Sequence, residues 1–132
     1  MLPAAILFDL DDTLISPHFH RKTFWNDAIR QVWDETNDGF ENLPKNIDVL
    51  VQQIDKAAQI FWSDPKRHKT GRLNLRKARY QICNNGIGLD SQFDDDIRWA
   101  IADRCGYLMF EKTTLYPDAI STLNKLRHNK VK

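Results

Sequence analysis

Apolar residues recur every three or four positions through most of the chain, and this spacing predicts a largely helical protein. The first apolar stripe consists of Trp25, Ala28, Ile29, Val32 and Trp33. These residues share one face of an amphipathic helix, which we expect to stop at the Asn-Asp-Gly sequence of residues 37–39.

Three more helical stripes follow the first. The second contains Ile47, Leu50, Val51, Ile54, Ala58 and Phe61 and should end at Asp64-Pro65. The third contains Leu75, Ala78 and Ile82 and should close with a left-handed cap at Gly86. The fourth contains Phe93, Ile97, Ala100, Ile101, Cys105 and Leu108 and should begin at Asp90 or Ser91. The pattern predicts a four-helix bundle in which residues 65–72 form a basic loop.

The two ends of the chain have a different pattern. Residues 5–8 are an apolar run that stops at Asp9, as expected of a short buried strand. Residues 113–116 resemble a second extended segment, and Pro117 suits the first position of a helix whose core-facing stripe is Ile120, Leu123 and Leu126. A linker is expected at Pro17.

Composition limits the classes of function. The chain has 132 residues, 42% of them apolar and 28% charged, as in one soluble globular domain. Its net charge of +1 gives no reason to expect a nucleic-acid or membrane partner. Cys83 and Cys105 lack metal-site spacing, so we expect two buried free thiols and a cytoplasmic protein.

Carboxylates are concentrated where the first predicted strand ends. Asp9, Asp11 and Asp12 precede Thr13, and no basic residue follows until Arg21. Because such acids repel one another, a bound cation would stabilise them, and Mg²⁺ prefers carboxylate and carbonyl oxygens. The simpler alternative is an Asx turn or a helix cap after the strand.

The sequence Asp-Leu-Asp-Asp-Thr-Leu at residues 9–14 resembles the D-x-D-x-T motif of the haloacid dehalogenase (HAD) superfamily. The resemblance implies that Asp9 is a nucleophile that forms an aspartyl-phosphate. It implies that Asp11 protonates the leaving group, then activates water, and offers its backbone carbonyl to Mg²⁺. It implies that Thr13 supports the motif and its phosphate pocket. An acid at position 11 favours phosphate ester hydrolysis over dehalogenation.

The order of elements also resembles the subfamily I phosphatases, which carry a helical C1 cap. The resemblance implies an α/β fold with a Rossmannoid core, of which only the first strand and the re-entry helix are present. Residues 1–16 would be the core strand and motif, 17–112 the inserted four-helix cap, and 113–132 the return to the core. The second, third and fourth family motifs are absent from the sequence, so we expect an incomplete chain with little activity alone.

Residues near the predicted basic loop are secondary candidates. In capped relatives such loops select the substrate, so Arg67, His68 and Arg72 are candidates for contacting it, and Trp62 flanks them. A solvated charged loop is the simpler interpretation.

The function that the resemblance implies is Mg²⁺-dependent hydrolysis of a small phosphorylated metabolite. Two alternatives remain open. In the first alternative, the chain is a phosphotransferase or mutase that uses the same aspartyl-phosphate. In the second, it is a non-catalytic interaction module completed by a partner chain. The predicted strand lacks a parallel neighbour, and self-association through it is a further expectation.

Overall fold

The computed structural model describes residues 3–16, 20–36, 44, 46–90 and 92–131. In that part, the helices are α1 (Arg21–Thr36), α2 (Ile47–Ser63), α3 (Pro65–Leu73), α4 (Leu75–Ile87), α5 (Asp95–Lys112) and α6 (Ala119–His128). Two short strands are β1 (Ile15–Ser16) and β2 (Thr114–Leu115). The chain divides into two compact units, the helical unit of residues 21–109 and the terminal unit of residues 1–20 and 110–132.

The helical unit has the predicted core. The stripes of α1 and α2 are buried throughout, which confirms both helices. Ala78 and Ile82 of α4 and Ile101, Cys105 and Leu108 of α5 complete the same cluster, whereas Leu75 is half exposed. The predicted linker at Pro17 and the helix stop at 37–39 lie outside the described residues.

The predicted basic loop is wrong, because its residues form α3. The Asp64 side chain ends α2 and caps α3 by accepting hydrogen bonds from the backbone N–H groups of Lys66 and Arg67, both at 2.9 Å. Pro65 takes the first helical position, where its missing N–H costs nothing. Gly71 is buried against the rings of Phe61 and Trp62. Residues 21–112 therefore contain five described helices rather than four.

The predicted cap at Gly86 is also wrong, by two residues. Helix α4 continues to Ile87, and Gly88 ends it with a φ of 66°, a value that favours glycine. Gly86 is needed for packing, since a Cβ added there would lie 2.5 Å from the Ile54 Cα on α2. Glycine thus lets the two helix backbones approach closely.

Helix α5 begins later than predicted, at Asp95 rather than Asp90 or the undescribed Ser91. The Asp94 side chain accepts a hydrogen bond from the Ile97 N–H at 2.9 Å, and two more acids follow in the first turn. The buried Arg98 holds the preceding segment at three described residues by donating to the carbonyls of Gly88, Asp90 and Phe93.

Both cysteines are buried free thiols, as predicted. Burial raises the pKa of Cys83 and of Cys105 to about 12. Both therefore remain protonated near neutral pH and are poor nucleophiles.

The terminal unit departs most from expectation. Residues 5–9 form no strand in the described structure, and Leu7 and Phe8 are 99% and 40% exposed. A strand of this kind needs a neighbour to pair with, and the sheet among the described residues is only the antiparallel pair β1–β2. The extended segment at 113–116 is confirmed by β2.

Helix α6 begins at Ala119, two residues beyond the predicted Pro117. Its predicted stripe is only partly covered, because Leu123 and Leu126 are half-buried and Ile120 is 52% exposed. Among the residues described, no helix is both long and apolar enough to cross a membrane.

Gly86→Ala should destabilise the helical unit. The new methyl group would overlap the Ile54 backbone, and overpacking of this kind costs about 1–3 kcal/mol. Denaturant unfolding followed by circular dichroism measures the loss. Asn85→Ala is the control, because Asn85 is exposed on the same helix. Equal stability of the Gly86→Ala variant and the parent would contradict the close approach of α2 and α4.

Candidate functional site

The acidic motif lies in a tight turn of the terminal unit. The Asp12 N–H donates to the Ile15 carbonyl at 2.8 Å. The N–H groups of Leu14 and Ile15 both donate to the Leu10 carbonyl, at 3.0 and 3.1 Å. The Asp11 carbonyl takes part in none of these three bonds. The turn therefore folds back on itself through bonds that do not use that oxygen.

Asp12 adopts the left-handed conformation that this turn requires, with a φ of 55°. Aspartate tolerates that region better than most residues, because its short side chain bonds locally. The presence of two consecutive aspartates, Asp11 and Asp12, in the motif thus has a structural explanation. Asp11 is a candidate for chemistry, whereas Asp12 shapes the turn.

The motif turn is joined to the chain's return segment by β1 and β2. Ile15 pairs with Leu115 and Ser16 with Thr114 in antiparallel register. The Tyr116 N–H extends the pairing by donating to the Leu14 carbonyl at 3.0 Å. Residues more than 90 positions apart therefore stabilise the end of the turn together.

The predicted motif residues are all exposed to solvent. Asp9, Asp11 and Thr13 are accessible, and Leu10 is 55% exposed between the two acids. In the described structure the Thr13 hydroxyl makes no hydrogen bond, so its supporting role remains a prediction. Accessible carboxylates can reach a substrate or a cation from solution.

The donor set of this turn is small for a metal ion. No group of three or more His, Cys, Asp or Glu side chains is placed to hold one, as far as the described residues go. What the turn offers is the Asp9 carboxylate and the Asp11 carbonyl. Hard oxygen ligands of this type suit Mg²⁺, which commonly keeps several of its waters.

The secondary candidates lie around α3 in the helical unit. The ring of Trp62 is half-buried and meets the His68 ring edge-on, with centroids 5.8 Å apart. Arg67, His68 and Arg72 are exposed. Trp62 therefore packs against the basic helix, and Arg67 lines a groove.

That groove has a volume of about 510 Å³ and lies between α2, α3 and the end of α4. We call it the α2–α4 groove. Its lining consists of Gln53, Lys56, Ala57, Ile60, Arg67, Asn85, Gly86, Ile87 and Gly88. Of these lining residues, the sequence analysis named Arg67 alone as a candidate substrate contact. Helical spacing was the available signal for the others on α2, since residues 53, 56, 57 and 60 share one face of a helix.

A family described as haloacid dehalogenase-like hydrolase matches residues 3–132. No curated protein and no solved structure matches this sequence.

Replacement of Asp12 should test the turn. Asp12→Val places a β-branched residue in the left-handed region, at a cost of about 1–2 kcal/mol. We expect faster amide hydrogen exchange at Ile15 and Tyr116 by about tenfold. Asp12→Asn is the control and should exchange like the parent, since asparagine tolerates this conformation. Unchanged exchange in Asp12→Val would show that the turn does not depend on this residue.

Proposed function

The chain belongs to the haloacid dehalogenase-like hydrolase family, and from this premise we propose that it hydrolyses phosphate monoesters of small metabolites through an aspartyl-phosphate at Asp9. The observation that carries the proposal is the motif turn. Its hydrogen bonds close residues 10–15 on themselves while the Asp9 and Asp11 carboxylates stay exposed.

The proposed reaction has two displacements. First, a carboxylate oxygen of Asp9 attacks phosphorus, and the bond between phosphorus and the ester oxygen breaks while Asp11 donates a proton to the departing alcohol. Then Asp11 accepts a proton from water, the oxygen of which attacks phosphorus and releases Asp9 and inorganic phosphate. Asp11 thus ends each cycle protonated, ready for the next substrate.

Mg²⁺ is the proposed cofactor of this turn. The Asp9 carboxylate and the Asp11 backbone carbonyl would hold it, with water completing its coordination. When bound, it supplies positive charge against the phosphoryl oxygens. Thr13 is proposed to support the phosphate pocket from the same turn.

We further propose that residues 17–112 are a cap of the C1 type, between core segments 1–16 and 113–132. The helical unit supports this in part, because it has its own buried core independent of the motif turn. On this basis Trp62, Arg67, His68 and Arg72 remain candidate substrate contacts, and the protein is proposed to act in the cytoplasm. Transfer of the phosphoryl group to a second substrate instead of water is the alternative within the same chemistry.

Asp9→Asn should abolish formation of the phosphoenzyme, which we expect to form only slowly in the parent because the second, third and fourth family motifs are absent from this sequence. Incubation with p-nitrophenyl phosphate and Mg²⁺, followed by mass spectrometry, should detect one phosphoryl group on the parent peptide that contains Asp9 and none on the variant. Asp11→Asn should still be labelled, because p-nitrophenolate leaves without a proton. Its label should persist about 10²–10⁴ times longer, since water is no longer activated.

Asp12→Asn is the matched control in this series and should behave like the parent, because we assign Asp12 to the turn alone. Labelling of Asp9→Asn at the parental level would exclude Asp9 as the nucleophile. Added alcohols and sugars separate hydrolase from transferase, since only a transferase passes phosphate to them.

A second candidate function rests on exposed apolar side chains of the terminal unit. Leu7 is 99% exposed, Leu115 48% and Ile120 52%. Apolar surface of this kind favours association with another chain. On this proposal the terminal unit pairs with a second copy or with a partner, and the chain is an interaction module.

Leu7→Ser should weaken self-association if this second proposal is correct. Size-exclusion chromatography with light scattering should show a lower mean mass for the variant than for the parent at equal concentration. Leu89→Ser is the matched control, because Leu89 is a fully exposed leucine of the helical unit. A monomeric parent at all concentrations would remove the support for self-association.

A further inference from the structure

We propose that the α2–α4 groove is a binding site for a small organic anion with an apolar body. The groove belongs entirely to the helical unit, so this proposal does not depend on the chemistry assigned to Asp9. Its volume of about 510 Å³ is within the usual range for small-molecule sites. Charge, apolar surface and rigidity each point to this ligand class.

The charge of the groove is positive. Lys56 and Arg67 line it, and its lining contains no acidic residue. Arg21, Arg76 and Arg104 each form an ion pair with a carboxylate. In the part of the chain that the structure describes, neither Lys56 nor Arg67 has such a partner within ion-pair distance. An anionic ligand group would supply it, and a guanidinium can hold a phosphate or a carboxylate through two hydrogen bonds.

An apolar wall lies in the same groove. Ile60 is 54% exposed, Ala57 is half-buried, and Ile87 is buried beneath them at the end of α4. An exposed isoleucine next to two cations suits a ligand that has both an anionic end and a hydrocarbon surface. An inorganic anion alone would leave this wall in contact with water.

The backbone wall of the groove is rigid. Gly86 lies directly against the Ile54 backbone, which fixes the end of α4. The Gly88 N–H donates to the Asn84 carbonyl at 3.0 Å, and the Gly88 carbonyl accepts from Arg98 Nη1 at 2.8 Å. Because both the N–H and the carbonyl of Gly88 are hydrogen-bonded within the protein, this part of the groove is formed before a ligand binds. A preformed site lowers the entropic cost of binding.

Two amide side chains complete the recognition chemistry. Gln53 lines the groove from α2 and Asn85 from α4, and both are exposed. Each provides donors and acceptors for a hydroxyl or amide group of the ligand. The inferred ligand thus combines a phosphate or carboxylate, an apolar portion and one or two neutral polar groups.

The test is a titration of the full chain, followed by the backbone amide resonances in NMR spectra. The probes are phenylphosphonate and benzoate, which carry the two possible anionic groups on the same ring and are not hydrolysed. Inorganic phosphate and benzyl alcohol represent the anion alone and the ring alone. We expect saturable shifts at residues 53–60 and 85–88 with phenylphosphonate or benzoate. The probe that binds with the lower dissociation constant identifies the preferred anionic group.

Charge removal provides the variants. Lys56→Gln combined with Arg67→Gln should weaken binding of the aromatic anion by about tenfold or more, because both cations are lost. Lys69→Gln is the matched control, since Lys69 is an exposed cation of α3 that does not line the groove. All three substituted positions are exposed, so spectra of the variants should match the parent away from the changed residues.

Three results would overturn the proposal. The first is the absence of shifts at 53–60 and 85–88 with millimolar phenylphosphonate or benzoate. The second is equal binding by the parent and the double variant. The third is equal binding of inorganic phosphate and phenylphosphonate, which would show that the apolar wall contributes nothing. One form of the first result is shifts confined to residues 9–16, which would place the anion at the motif turn instead.

Discussion

The buried guanidinium of Arg98 is the constraint on which the helical unit depends most. Its Nε donates to the Phe93 carbonyl at 2.7 Å, and Nη1 donates to the Asn84 side chain at 2.6 Å and to the Gly88 carbonyl at 2.8 Å. Nη2 reaches the Asp90 carbonyl at 3.0 Å. The described residues between α4 and α5 form neither helix nor strand, so their carbonyls need donors from elsewhere. A single side chain supplies them, which also directs the Phe93 ring onto Trp33 in the core.

The other charged contacts connect helices in pairs. Arg21 on α1 bonds the buried Asp55 of α2, Arg104 on α5 bonds Glu35 of α1, and Arg76 on α4 bonds Asp103 of α5. The Arg76 guanidinium lowers the pKa of Asp103. Because that pKa is depressed, the pair stabilises the fold above the ordinary pKa of aspartate and loses its effect as the pH falls through the lowered value. Helix α3 takes part in none of these described pairs, and this leaves its cations to solvent or to a ligand.

The sequence allowed prediction of whatever depends on local spacing. The stripes of α1 and α2 identified the core because a buried helix face repeats within the helix itself. Helix α3 was missed because it has no apolar stripe, and its existence depends on the Asp64 cap and on Gly71 packing against Phe61. The strand at residues 5–9 failed for the opposite reason, because a hydrophobic run becomes a strand only beside another strand. The candidate site at Asp9 and Asp11 could be predicted because a sequence motif marks it. The α2–α4 groove could not be predicted in this way, because it is formed by tertiary contacts between helices.

The charge of the motif turn limits how the proposed reaction can begin. Three aspartates lie within four residues, and all are exposed. Even with Asp11 carrying the proton that it donates in the proposed reaction, a phosphate ester that approaches Asp9 meets the carboxylates of Asp9 and Asp12. Two unit charges 4 Å apart interact by about 1 kcal/mol even in water, so each carboxylate close to the phosphate would oppose its approach. Phosphate binding at this turn therefore requires positive charge that the turn itself does not contain. On the proposed mechanism a cation bound at this turn would supply that charge, and this requirement is the physical reason that Mg²⁺ is part of the proposal.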